Sequence, residues 1–232
     1  MQILRGHWQL LAVTGLVFLL WNTPVVLPLK LLVVFMHELS HGLAAVVTGG
    51  TIENISLSVQ QGGHAITRGG NGFVILSSGY VGSLLIGMAL LMIALRTRAD
   101  RAVLGLFGVI TLSVTALYIR DLFPLIFCAV AGLGMLAVAR YLDPPINDMV
   151  LRIIGLTSLI YVPYDIFDDT IARSGLRSDA YMLSEQFGGP TMLWGGLWLV
   201  LSLSVIAVCL RYGIGQSSNL TFGEASQEPQ KE

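Results

Sequence analysis

Two histidines and a glutamate stand close together in an apolar stretch of the chain. Residues 35–41 read Phe-Met-His-Glu-Leu-Ser-His. Residues four positions apart share one face of a helix, so His37 and His41 can bind a single zinc ion. Glu38 lies beside them, where its carboxylate can deprotonate a water whose pKa zinc lowers to about 7. The spacing therefore predicts a hydrolytic zinc centre, with Glu38 as its general base.

A catalytic zinc ion usually has a third protein ligand and one open position. A later apolar stretch ends in residues 161–169, Tyr-Val-Pro-Tyr-Asp-Ile-Phe-Asp-Asp. Asp165 is the first candidate for the third ligand because it lies deepest in this stretch. Asp169 is the substitute, since it follows Asp165 by four residues on the same helical face.

Two other aspartates are expected to support the site rather than to bind the metal. Asp168 is placed at the membrane interface, solvated or hydrogen-bonded to the ligands. Ser178-Asp179 follows the aspartate cluster and could cap a short helix over the site, although a solvated cap is the simpler interpretation.

The alternative interpretation of His37, Glu38 and His41 is a polar patch that packs helices together. Burying charged groups in a spanning helix costs about 2.5–3.5 kcal/mol for each one on insertion scales. Three ionisable groups at a metal-binding spacing therefore favour a functional site.

The composition predicts a membrane protein. Of the 232 residues, 54% are hydrophobic and 12% are charged, against about 25% charged in an average soluble domain. The mean hydropathy is +0.76. This argues against a soluble enzyme, and the net charge of −1 gives no indication of nucleic-acid binding. We expect one membrane domain over residues 1–214 and a disordered polar tail over residues 215–232.

The hydropathy pattern predicts an all-α polytopic fold with about seven transmembrane helices, each needing about 20 apolar residues. Residues 102–140 are too long for one crossing and are divided at Arg120-Asp121. With that division His41 and Asp165 reach similar depth in the membrane. The predicted spans are His7–Trp21, Pro24–Val47, Phe73–Leu95, 102–119, 122–140, Asp148–Asp169 and Met192–Arg211.

Residues 51–72 differ from the rest of the chain. They alternate apolar and polar side chains and contain glycine pairs, which predicts a β-hairpin-like segment directly after the zinc helix. Two interpretations are equally consistent with this pattern. The segment could pair with a substrate unwound for cleavage, or it could be a plain interfacial hairpin.

The motifs together resemble the site-2 protease family of intramembrane zinc metallopeptidases, and in particular its small branch without PDZ domains. His37-Glu38-Leu39-Ser40-His41 carries most of the resemblance. Gly49-Gly50 before the hairpin, Gly79–Ser83 in the third span, and the aspartates at 165–169 and 179 complete it. The resemblance covers roughly residues 30–200.

The resemblance implies a zinc endopeptidase that hydrolyses peptide bonds in or near transmembrane segments of other membrane proteins. It carries His37, His41 and Asp165 over as zinc ligands and Glu38 as the base. We expect one Zn²⁺ per chain, a transmembrane protein substrate, the lipid bilayer as surroundings, and the plasma membrane if the source is bacterial.

Two other functions stay open at the level of sequence. A catalytically inactive relative would use the same pocket to bind membrane partners. A metal transporter or sensor would use the histidines and aspartates as a transit site, although only one ligand cluster is present in the sequence. The sequence does not indicate an oligomeric state.

Overall fold

The computed structural model describes residues 6–213 and residue 219. Within this part of the chain, there are eight α-helices and one small antiparallel sheet. The elements are α1 Trp8–Leu19, α2 Leu27–Val47, β1 Thr51–Leu57, β2 Gly63–Arg68, α3 Gly72–Arg96, α4 Asp100–Tyr118, α5 Leu122–Tyr141, α6 Pro144–Phe167, α7 Asp179–Phe187 and α8 Thr191–Gly213.

The polytopic helical fold is confirmed. Six of the described helices are long and apolar enough to cross a membrane, namely α2 to α6 and α8. The first predicted span differs, because α1 has 12 residues and is about 18 Å long at 1.5 Å per residue. The predicted polar tail, residues 215–232, lies outside the described residues except for residue 219, so its disorder stays a prediction.

Helices α2, α3 and α6 form the centre of the bundle. Small residues let their backbones approach closely, as is common between membrane helices. A Cβ atom on Gly82 of α3 would collide with the Ser40 hydroxyl of α2. On the other side of α3, the Ser158 hydroxyl of α6 donates to the Ser83 carbonyl at 2.8 Å. Helix α2, which carries His37 and His41, is therefore held against α3, and α3 is held against α6.

The predicted hairpin is present as β1 and β2. Strand β1 buries Ile55 and Leu57, whereas β2 is largely exposed. The Ser56 hydroxyl of β1 donates to the Asp121 carboxylate at the start of α5, at 2.5 Å. The turn closes where the Ser58 amide donates to the Gly62 carbonyl at 2.8 Å. One strand is thus anchored in the bundle, and the other strand is largely exposed.

The end of α6 changes geometry close to the predicted aspartates. Helix α6 continues into a π-helical turn, Asp168–Ala172, and the chain then returns to the bundle as the short helix α7. Ser178 caps α7, because its side chain accepts a hydrogen bond from the Tyr181 amide. This return brings Asp179, the first residue of α7, back towards α2.

Candidate metal centre

Both histidines of the motif face one carboxylate oxygen. The Nε2 atom of His37 lies 3.0 Å from Oδ2 of Asp179, and the Nε2 atom of His41 lies 3.2 Å from the same oxygen. Asp179 and His41 are buried, and His37 is partly buried. Among the described residues, these three form the group whose ligand atoms lie close enough together to hold a metal ion, all within 4.8 Å of one another.

A hydrogen bond sets the orientation of the His41 ring. Its Nδ1 atom lies 2.7 Å from the Ile75 carbonyl oxygen of α3. A carbonyl oxygen can only accept, so Nδ1 carries the proton and Nε2 presents its lone pair to the site. Backbone carbonyls fix metal-binding histidines in the same way in many zinc sites.

Helix α3 leaves space for the two ring nitrogens. A Cβ atom on Gly79 would collide with Nε2 of both His37 and His41. The ligand atoms therefore lie directly against the α3 backbone, which explains the glycine at this position. Gly79 and Gly82 together let α3 approach α2 closely.

The sequence prediction did not count Asp179 among the candidate ligands, whereas the structure places it beside both histidines. It was expected to support the site or to cap a helix, and α7 does begin there. Burial by itself raises the pKa of the Asp179 carboxyl, but His41 and His37, when protonated, outweigh burial and hold the pKa below its ordinary value. The ionised carboxylate is the form that binds a metal. The sequence feature that could have pointed to Asp179 was the pair Ser178-Asp179, a capping serine and the first residue of a short helix after the aspartate cluster.

These three side chains fit a zinc ion. Tetrahedral ligands that lie about 2.1 Å from zinc are roughly 3.4 Å apart. The two nitrogen–oxygen distances of 3.0 and 3.2 Å are close to that separation. Two imidazoles and one carboxylate also form a donor set typical of catalytic zinc.

Asp165 lies in the same cavity but outside this three-residue group. It interacts with the Tyr161 hydroxyl on the preceding turn of α6. The geometry thus gives no support to Asp165 as the third ligand. The reason is the return of the chain after α6, which lets Asp179 approach both histidines directly.

The other two aspartates of the cluster lie on the π-helical turn. Asp169, the predicted substitute ligand, accepts a hydrogen bond from the Tyr80 hydroxyl at 2.8 Å. Its other carboxylate oxygen lies 2.9 Å from Arg173 Nη2. Asp168 also pairs with Arg173. Both carboxylates are occupied by protein partners beside the site, which suits the supporting role predicted for Asp168.

Glu38 faces the cavity from the same helix as the histidines. Glu38 is 5% exposed, and its side chain packs against Gly63, the first residue of β2. A Cβ atom on Gly63 would lie 2.6 Å from Glu38 Oε1. The hairpin therefore covers Glu38, the predicted base. The absence of a side chain at Gly63 leaves space for the Glu38 carboxylate.

The centre lies in a polar cavity of about 380 Å³. One wall is the histidine face of α2, another is the region of α6 and α7 with the aspartates, and a third is the hairpin turn. The Tyr161 hydroxyl donates to the Gln61 carbonyl at 3.4 Å and ties the turn to α6. Hairpin residues that line the cavity are Gln60, Gln61, Gly62, Gly63, His64 and Ala65.

The sequence profile of the family described as Peptidase M50B-like matches residues 10–209 of the chain. This match covers well over half of the 232 residues, and the chain therefore belongs to that family. No curated protein and no solved structure matches it at a significant level. The match confirms the resemblance to the site-2 protease family. Together with the six apolar helices, it identifies an integral membrane protein of a peptidase family.

Proposed function

We propose that the protein is a zinc-dependent intramembrane endopeptidase that hydrolyses peptide bonds in or near transmembrane segments. The observation that carries the proposal is the convergence of His37, His41 and Asp179 beside the Glu38 carboxylate. This convergence occurs in a polar cavity among membrane-spanning helices. Asp179 takes the role that the sequence prediction gave to Asp165.

The side chains divide the work of hydrolysis among them. When bound, zinc supplies Lewis-acid polarisation and a nucleophile at neutral pH. His37, His41 and Asp179 would hold the ion through the facing atoms Nε2, Nε2 and Oδ2. Glu38 accepts a proton from the attacking water and returns it to the nitrogen of the leaving peptide. A buried carboxylate beside the reacting atoms suits both steps.

The hairpin supports a binding mode for the substrate. The peptide bonds of a helix are shielded, so a substrate segment must be extended before it can be cut. Strand β2 pairs with β1 on one side, and its first residues line the cavity. An extended substrate that adds to the free side of β2 would place its backbone beside Glu38.

This mode of binding implies the routes by which substrate and water reach the site. The substrate is a transmembrane protein that enters from the bilayer, and water reaches the site through the polar cavity. In a bacterial source, the membrane concerned is the plasma membrane.

Hydrolysis is tested with purified protein in detergent and in liposomes, using a panel of labelled single-span transmembrane peptides. We expect about one zinc per chain and cleavage of at least one peptide. Glu38→Gln should abolish the cleavage and retain the zinc, whereas the matched control Glu53→Gln, an exposed glutamate of β1, should cut normally.

Other outcomes would contradict the proposal in distinguishable ways. Cleavage that survives Glu38→Gln refutes the mechanism. Peptide binding without hydrolysis in zinc-loaded protein favours an inactive relative that binds membrane partners. Zinc flux into proteoliposomes without cleavage favours a transporter.

A further inference from the structure

Tyr80 lies between the metal group and the rest of the bundle. It follows Gly79 on α3 and is 2% exposed. Its ring meets the His37 ring at 82°, with the ring centres 4.6 Å apart. On another side it contacts the Trp198 ring of α8 at 5.1 Å. The position of the His37 ring is therefore coupled to the position of Tyr80.

The two histidines are held in different ways. His41 is fixed by the hydrogen bond from Nδ1 to the Ile75 carbonyl. For His37, the described residues provide a hydrogen-bond partner at Nε2, which is Asp179, and none at Nδ1. The orientation of the His37 ring relies instead on packing against the Tyr80 ring, which lies nearly perpendicular to it.

The Tyr80 ring is itself held from its far end. Its hydroxyl donates to Asp169 Oδ2 at 2.8 Å, and Asp169 Oδ1 lies 2.9 Å from Arg173. The π-helical turn at the end of α6 carries Asp169 and so presents the acceptor to α3. Turns of this kind often occur at functional sites.

We propose that Tyr80 is a positioning residue for the zinc ligand His37, and that Asp169 serves as the hydrogen-bond acceptor that holds Tyr80. This inference rests on the proposed function, because it concerns the same zinc centre. It assigns Asp169 a role other than the substitute ligand that the sequence suggested. Loss of the hydroxyl would let the Tyr80 ring, and with it His37, leave the ligating orientation.

Zinc affinity and the visible absorption of the cobalt-substituted protein test this proposal without any substrate. Tyr80→Phe keeps the ring and removes the hydroxyl. We expect it to weaken zinc binding about tenfold, which is the smallest loss of affinity usual when a side chain that orients a metal ligand is removed. We also expect a shifted cobalt spectrum, which a purely structural role would leave unchanged. Tyr141→Phe, at a residue 78% exposed, is the control and should behave as the wild type.

Variants of Asp169 separate an acceptor from a ligand. The Asp169→Asn side chain still offers a carbonyl oxygen to Tyr80, so it should bind zinc within about threefold of the wild type. Asp169→Ala should match Tyr80→Phe. The double variant should show no further loss, because both changes remove one interaction. Thermal melting in detergent checks that each variant is folded.

Two results would overturn the inference alone. The first is wild-type zinc affinity and an unchanged cobalt spectrum in Tyr80→Phe. The second is a loss of metal in Asp169→Asn as complete as in Asp169→Ala, which would make Asp169 a ligand. A folded wild-type protein that binds neither zinc nor cobalt would overturn the proposed function and this inference with it.

Discussion

Asp179 Oδ2 lies 3.0 Å from His37 Nε2, although 142 residues separate the two in the sequence. The contact joins the zinc-motif helix to the first residue of α7. It depends on the chain turning back after α6, and it places the Asp179 carboxylate within ligand distance of both histidines.

Asp179→Ala should therefore remove the metal, because a catalytic zinc site with two remaining protein ligands binds weakly. Asp165→Ala is the matched control, since it removes a carboxylate from the same cavity. Metal analysis of the purified variants should find zinc in Asp165→Ala and little in Asp179→Ala. The reverse pattern would restore Asp165 as the ligand.

Gly79→Ala should also abolish metal binding, although the position carries no ligand. The added methyl group would collide with both Nε2 atoms and displace them from their common centre. Gly134→Ala is the control, because a Cβ atom there meets nothing within 4 Å. Normal zinc content in Gly79→Ala would show that the histidines do not use these nitrogens.

Gly63→Ala should impair peptide cleavage and leave metal binding intact. Its methyl group would lie 2.6 Å from Glu38 Oε1 and push the base aside, while the ligand atoms keep their places. We expect zinc retention and a loss of peptide cleavage of about 100-fold or more, as for a misplaced general base. In the control Gly62→Ala, the methyl group lies 3.3 Å from the Ser58 hydroxyl, which can rotate, and cleavage should persist. Cleavage by Gly63→Ala at the wild-type rate would contradict a role for Glu38.

Arg152→Leu should destabilise the end of the bundle where α6 begins. Arg152 pairs with Asp148 one turn earlier, and both side chains are at most 10% exposed. Removing one partner leaves a buried charge, which costs about 3–5 kcal/mol. The exposed pair Arg68–Glu53 is the control, and Arg68→Leu should cost no more than about 1 kcal/mol. Thermal melting in detergent measures both, and equal melting temperatures would refute the prediction.

The parts of the fold that depend on local pattern could be predicted from the sequence. The helix that carries His37, Glu38 and His41 was predicted from an apolar run, and the hairpin within residues 51–72 from alternating side chains. The division of residues 102–140 rests on the length of that stretch and on the charged pair Arg120-Asp121. The length of α1 could not be predicted in this way. Hydropathy continues to Trp21, whereas the helix ends at Leu19.

The site was predictable only where it lies on a single helix. His37, Glu38 and His41 share α2, and their spacing alone brings them together. The contacts of Asp179 and of Tyr80 join different elements of the fold. Both depend on the π-helical turn after α6, because Asp179 follows that turn and the Tyr80 acceptor Asp169 lies on it. No periodicity in the sequence indicates this turn. Asp165 was preferred because depth along a helix can be counted from the sequence, whereas the path of a returning loop cannot.

The late position of Asp179 has a consequence for biosynthesis. A nascent chain that has emerged only as far as α6 already contains both histidines and Glu38, but it lacks the carboxylate that completes the metal group. Such a chain should hold zinc loosely and cut nothing, which a fragment ending at residue 172 can test by its metal content. Under the proposed function, the membrane in which the protein is made would then meet no active peptidase until α7 has been synthesised and folded back against α2.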